Sequence, residues 1–327
     1  MGTLYIDRKD VELRRDAGRI LIYEAGTQTA GVPVAHLERV VLASRAVLDT
    51  AVLRELAGAG VGVVVLDRRR PERTAWVLGR AHNDAARRIG QYRRFLDGQW
   101  RDRWATGLVR HKVRGQRRFL ARALERRPDV RYPLTNALRV IDERLEALAP
   151  GAAPPARGRV RGIEGAAAAA YFGRLTSLFA PALAFRGRNR RPPRDPVNAC
   201  LSLTYTMLYS EALFAAQAAG LDPLLGLYHE PAFGRASLAT DLMEPLRPRV
   251  DEWVWQLFRE ERLRAGDFVT ERGACLLAKG ARETYFRLYE GFAHAPRRHL
   301  RRHAQRLARA FAEDGEGLIA PEDEEEP

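Results

Sequence analysis

Cysteine is nearly absent. Cys200 and Cys275 are the only two in 327 residues, too few for a disulfide framework or a cysteine-built zinc site. Both stand in apolar stretches that read as helical. Lysine is almost as scarce: Lys9, Lys112 and Lys279 are the only three among 55 basic residues, so the positive charge is nearly all guanidinium. No uncharged run approaches the roughly 20 residues of a membrane span. The A-A-A-A-A tract at 166–170 is a helix former and far too short. The opening M-G-T-L-Y-I-D-R-K-D has no signal h-region, and Ile6 breaks the myristoylation pattern. A reducing cytoplasm is the expected compartment.

What is present is positive charge. The formal net charge is +14 and the sequence pI about 10.5, far from a typical enzyme of small metabolites. Guanidinium stays charged and grips phosphate in a bidentate fork, which suits a nucleic-acid backbone. An Ala-, Arg- and Gly-rich chain is also what codon bias produces, so charge points to a polyanion without identifying it. Residues 101–127 carry ten basic and two acidic side chains, with Trp100, Trp104 and Phe119 interleaved. That stretch reads either as a solvated helix face over an aromatic stripe or as a surface tracking a phosphate backbone. The loop R-G-R-N-R-R-P-P-R at 186–194 has five arginines and no acid. Arg297, Arg298, Arg301, Arg302, Arg306 and Arg309 share one later helix.

The order of patterns predicts an α+β chain, with a small amino-terminal β-rich domain followed by a larger all-helical domain. T-L-Y-I-D, V-E-L-R-R and R-I-L-I-Y-E read as strands, with D-A-G as a hairpin turn. V-P-V-A-H-L-E-R-V-V-L-A continues the alternation and would place His36 on a strand. L-D-T-A-V-L-R-E-L-A-G-A-G reads as a short helix, and V-G-V-V-V-L-D and T-A-W-V-L-G as strands. From Asp84 long amphipathic helices take over. The expected domains are 1–83, 84–312 and an acidic tail, 313–327, whose eight acids read as disordered.

Two stretches carry candidate chemistry. Gly226 to Arg249 reads G-L-Y-H-E-P-A-F-G-R-A-S-L-A-T-D-L-M-E-P-L-R-P-R. A His lies in a Pro- and Gly-broken loop, followed by a short helix that Ser237 can cap and Pro245 limits. Asp241 and Glu244, at i and i+3, share a face. Carboxylates beside imidazole suit a divalent cation such as Mg²⁺ or Mn²⁺; the same residues also make an ordinary ion pair or solvated face. Upstream, R-G-I-E-G-A-A-A-A-A-Y-F places Glu164 before a run of small residues, where it also reads as an acid at a helix start.

With R-P-P-R-D-P-V-N-A-C-L-S-L-T-Y-T-M-L-Y between these stretches, the chain resembles the CRISPR-associated integrase, the first of the numbered Cas proteins. The resemblance covers nearly the whole chain. It implies Glu164, His229 and Glu244 as ligands of a catalytic Mg²⁺ or Mn²⁺, and Asp241 as an acid that binds or orients a second ion. It implies a homodimer, built through the amino-terminal domain, with a small ferredoxin-like second Cas protein completing a heterohexamer. The implied reaction joins the 3′-hydroxyl ends of short DNA fragments to repeat-end phosphodiesters of a CRISPR array by transesterification. Arg186, Arg188, Arg190, Arg191, Arg247 and Lys279 are candidate DNA contacts. Two other readings stay open from the residues alone: a metal-dependent nuclease that cuts without joining, and a basic scaffold without catalysis.

Overall fold

The alternating residues near the amino terminus pair as strands, as their β-branched character favours. The computed structural model describes residues 2–79, 82–149, 153–189 and 192–316. It begins with β1 (Gly2–Ile6), β2 (Val11–Asp16), β3 (Arg19–Glu24), β4 (Thr27–Pro33), β5 (Leu37–Leu42) and β6 (Ala46–Leu48). Helix α1 (Thr50–Gly58), β7 (Gly62–Val65) and β8 (Ala75–Val77) follow. Between β2 and β3, Ala17 and Gly18 both take positive φ, the tight turn that matches strand twist. Asp49 accepts from the Val52 amide and so caps α1. One sheet runs β1-β5-β7-β8 and the other β4-β3-β2-β6. Leu13, Ile20, Val40, Val52, Leu56 and Val63 belong to one buried cluster spanning both sheets and α1. β4 was not legible, because T-Q-T-A-G has little apolar content; it forms on the edge that β3 offers. His36 lies exposed in a 3₁₀ turn rather than on a strand.

Helices carry most of the remainder: α2 (Ala85–Leu96), α3 (Gly98–Arg126), α4 (Arg131–Glu146), α5 (Arg157–Leu175), α6 (Pro196–Ala218), α7 (Ser237–Met243), α8 (Arg247–Arg259) and α9 (Lys279–Glu316). A β-rich amino-terminal region followed by a mostly helical part is the expected class. The helical part is not wholly helical: β9 (Phe268–Glu271) and β10 (Ala274–Leu277) form an antiparallel hairpin. Cys275 therefore sits in a strand, not a helix.

The chain forms two compact units. The first combines the amino-terminal region to residue 81 with segments 189–210 and 263–294. There Asp195 accepts from the amide and the side chain of Asn198 at the start of α6, and Thr204 shares a 2.8 Å hydrogen bond with Tyr285. The second unit takes 82–188, 211–262 and the chain from 295.

Within the second unit α3 is the spine. Its buried stripe runs Arg101, Ala105, Leu108, Val109, Lys112, Val113, Gln116, Phe119, Leu120 and Ala123, the 3.6-residue period of a helix pressed against others. α4, α5, α8 and a 3₁₀ turn at Glu244–Leu246 all pack on it. α2 meets the end of α9 backbone to backbone: a Cβ on Gly90 would fall 1.8 Å from the Phe311 carbonyl oxygen. Residues 313–316, expected in the disordered tail, continue α9, and Arg94 holds Asp314 through two 2.5 Å hydrogen bonds. The rest of the expected tail lies outside the described residues.

Candidate active site

Glu164 stands in the third turn of α5, past the reach of the helix dipole, so the helix-start reading does not apply. Its carboxylate meets that of Glu244, the first residue of the 3₁₀ turn after α7, across one lysine. Lys112 Nζ lies 2.5 Å from Glu164 Oε1 and 2.5 Å from Glu244 Oε1. The remaining oxygens are also engaged: the Tyr228 hydroxyl donates to Glu164 Oε2, and Arg247 Nε donates to Glu244 Oε2. Burial works to raise the Glu244 carboxyl, but Arg247 and Lys112, with His229 adding to them, hold it at about 2. Burial opposes the charge on Lys112, and the two carboxylates outweigh it and raise its ammonium. Burial and the hydrogen bond to Glu164 push the Tyr228 phenol up.

His229 is held from behind. Asp241, with no exposed surface, takes the Leu227 and Tyr228 amides on Oδ2 at 2.6 and 3.0 Å. On Oδ1 it takes the His229 amide at 3.0 Å and ring Nδ1 at 2.6 Å. Four donors fill the acceptor sites of one carboxylate. The role of second-ion ligand expected for Asp241 is thus not the one its surroundings support; it fixes the loop and turns His229 so that Nε2 is the outward nitrogen. Ser237 is the first residue of α7 and not its cap, which is Ala236; the Ser237 hydroxyl instead donates to the Glu230 carbonyl. Arg101 grips the same loop, with Nε on the Leu227 carbonyl and a second nitrogen 3.0 Å from Glu230. Gly226 opens the loop because a Cβ there would lie 2.3 Å from the His229 carbonyl oxygen.

The donor set fits a hard divalent ion: two carboxylates converging on one cation, and an imidazole fixed by a carboxylate behind it. As the side chains stand, no three His, Cys, Asp or Glu groups among the described residues are close enough together to hold an ion; the Lys112 ammonium stands between the two acids.

The family model of the CRISPR associated protein Cas1 matches residues 4–291. The chain belongs to the Cas1 family. It is 35% identical, over 96% of its length and 98% of the relative's, to a CRISPR-associated endonuclease Cas1 of Thermodesulfovibrio yellowstonii. Among solved structures it resembles a casposase bound to integration product, with TM-score 0.80, 19% identity, and coverage of 96% of this chain and 91% of that one. It also resembles a chain of a Cas6-RT-Cas1–Cas2 complex, with TM-score 0.80, 22% identity, and coverage of 96% and 36%. At these identities the structural likeness concerns the fold.

Other candidate residues of this Cas1 chain are placed as follows. Arg247 touches Glu244, so it belongs to the site. Arg186 is exposed and Arg188 half-buried. Lys279 is exposed at the start of α9, in the first unit. Arg190 and Arg191 lie outside the described residues. Of the ten basic residues at 101–127, Arg117, Arg122 and Arg127 are committed to Asp142, Glu252 and Asp129, which is the solvated-face reading. Arg103 instead lines a cleft of about 600 Å³ beside Pro245, with Arg249, Arg298, Arg302 and Arg306. No acid is among the described residues lining it. Two residues of the site were missed from sequence. Lys112 had a signal, a charge on the apolar stripe of its helix and one of three lysines; Tyr228 had none beyond adjoining His229.

The same cleft holds His303, whose Nδ1 is buried without a hydrogen-bond partner. Burial, then the neighbouring His299, His111 and Arg306, lower it from 6.5 to about 4. The unfolded chain takes up this proton first, so the stability is whole above about pH 6.5 and falls by about 3 kcal/mol as pH drops through 4. His303→Gln should flatten the denaturation midpoint across this window; an unchanged slope would refute the assignment.

Proposed function

We propose that this chain is a divalent-metal-dependent DNA integrase of CRISPR adaptation, acting in the cytoplasm. It joins 3′-hydroxyl ends of short DNA fragments to repeat-end phosphodiesters by transesterification. The observation that carries this reading is the convergence of Glu164 and Glu244 on one cation position beside a His229 oriented by Asp241. Glu164, Glu244 and His229 Nε2 would hold Mg²⁺ or Mn²⁺, which supplies Lewis-acid neutralisation of the phosphate and lowers the pKa of a hydroxyl. The chain's own groups do the rest. Asp241 keeps the His229 proton on Nδ1. Tyr228 and Arg247 fix the rotamers of the two glutamates, so little reorganisation is left for the reacting state.

The arginine cleft beside Pro245 gives DNA a phosphate track leading to Glu244. Contacts of that kind position a duplex without reading its sequence, and binding should weaken with salt. The curated relative is an endonuclease and the structurally similar casposase carries an integration product, which supports DNA as substrate. The Cas6-RT-Cas1–Cas2 complex supports a second Cas protein as partner. On the proposed reading this partner is small and completes a heterohexamer with a homodimer joined through the amino-terminal domain.

The test is joining of a short duplex with free 3′-ends to a supercoiled plasmid bearing a candidate repeat. It is run with Mg²⁺, Mn²⁺ or EDTA, with and without the partner, beside His229→Ala. Product that requires the ion and falls at least about a hundredfold in the variant is expected. Nicking without joining would replace the integrase by a nuclease, and binding without turnover under any ion would replace both by a scaffold.

A further inference from the structure

The composition of this chain makes Lys112 conspicuous. Where nearly every other cation is arginine, a lysine stands on the apolar stripe of α3 between Val109 and Val113, 8% exposed, with its ammonium shared by Glu164 and Glu244. Arginine would lock two carboxylates in a planar fork; lysine is a point charge on a flexible stem that can leave. One turn along the same face lies Gln116, 2% exposed, whose Oε1 is buried without a hydrogen-bond partner. Residues four apart on a helix have Cβ atoms about 5–6 Å from each other, so both side chains can span the gap. A buried acceptor left unpaired is uncommon in a native fold and marks a place where a donor can arrive.

We propose that Lys112 is a built-in counter-ion: it occupies the cation position shared by Glu164 and Glu244, and swings to Gln116 Oε1 when a divalent ion enters. This rests on the metal-dependent reading above. Without an ion, the lysine keeps the buried Glu244 and the partly buried Glu164 neutralised and correctly spaced, which avoids the repulsion of like charges facing each other. With one, it must move, because an ammonium and a divalent ion cannot both sit between the same two oxygens. The cost of expelling it weakens ion binding, so Lys112 sets how much free ion the protein needs before the site forms.

With only three lysines, the side-chain spectrum of ¹³C-lysine-labelled wild-type protein has three sets of signals to assign. Titration with Mg²⁺ is expected to shift the Lys112 Cε signal in step with occupancy while those of Lys9 and Lys279 stay fixed. In parallel, Mn²⁺ affinity is measured by electron paramagnetic resonance without DNA. Lys112→Met is expected to bind Mn²⁺ about tenfold tighter than wild type or better, and to melt earlier in EDTA; Gln116→Leu is expected to bind a few-fold more weakly. A Lys112 signal that does not move at saturating Mg²⁺, or equal or weaker Mn²⁺ binding in Lys112→Met, would overturn the inference. If Lys112→Met does not fold, the wild-type titration decides alone. Absence of ion binding in wild type and variants would instead bring down the metal-dependent reading itself, and this inference with it.

Discussion

Glu164→Gln is expected to reduce DNA joining and cleavage by at least about two orders of magnitude while DNA affinity stays within about threefold of the parent. The amide is the size of the carboxylate, can still accept from Tyr228 or Lys112, and removes one unit of negative charge from the cation position. Glu164 is partly exposed on α5, so the fold should barely notice. Affinity should persist because, on the proposed reading, it is supplied by guanidinium groups on phosphates and not by the carboxylates. Single-turnover rates at saturating DNA, beside anisotropy titrations, separate the two quantities. Joining retained within a few-fold would remove Glu164 from the chemistry.

Asp241→Ala should be the most damaging single change to the loop. It leaves the amides of Leu227, Tyr228 and His229 and one imidazole nitrogen without their acceptor, the Leu227 and Tyr228 amides in fully buried surroundings, each buried unsatisfied group costing about 1–3 kcal/mol. A loss of about 3 kcal/mol or more in urea denaturation is expected, with faster amide exchange confined first to residues 227–229. That loss should already be present in EDTA, with any further loss in Mg²⁺ coming from a His229 no longer held for the ion. That separates the two roles for this acid: if it served an ion, the destabilisation would appear only when the ion is present. Loss of activity with unchanged stability in EDTA would sink the loop-holding role.

The acids and histidine of the site were legible because their order and surrounding words resemble a known family, and the structure places Glu164 and Glu244 on one cation. What was not legible is instructive. Asp241 and Glu244 look alike in sequence as two acids at i and i+3, yet one faces a bundle of backbone amides and the other a lysine and an arginine. Backbone donors leave no mark in a residue string. Lys112 stands within a run of ten basic residues that reads as surface charge, although its helical phase, in line with Leu108, Val109 and Phe119, argues for the interior. In the fold, long periodic helices and β-branched strands read clearly. β4 did not, since its pairing is decided by the partner strand rather than by its own composition; β9 and β10 are four residues each, and an apolar run as short as A-C-L-L suits a helix as well as a strand.

The spine helix carries an implication for how this chain can change length. Arg101, which grips the His229 loop, and Lys112, which sits between the acids, are about three turns apart on α3 and face the same way. One residue inserted or deleted between them would rotate one against the other by about 100°, and no rearrangement of side chains could restore both. Length variation in this fold is therefore tolerable between helices, as in the segment between α4 and α5, and barred within the three turns of α3 that set the site's phase.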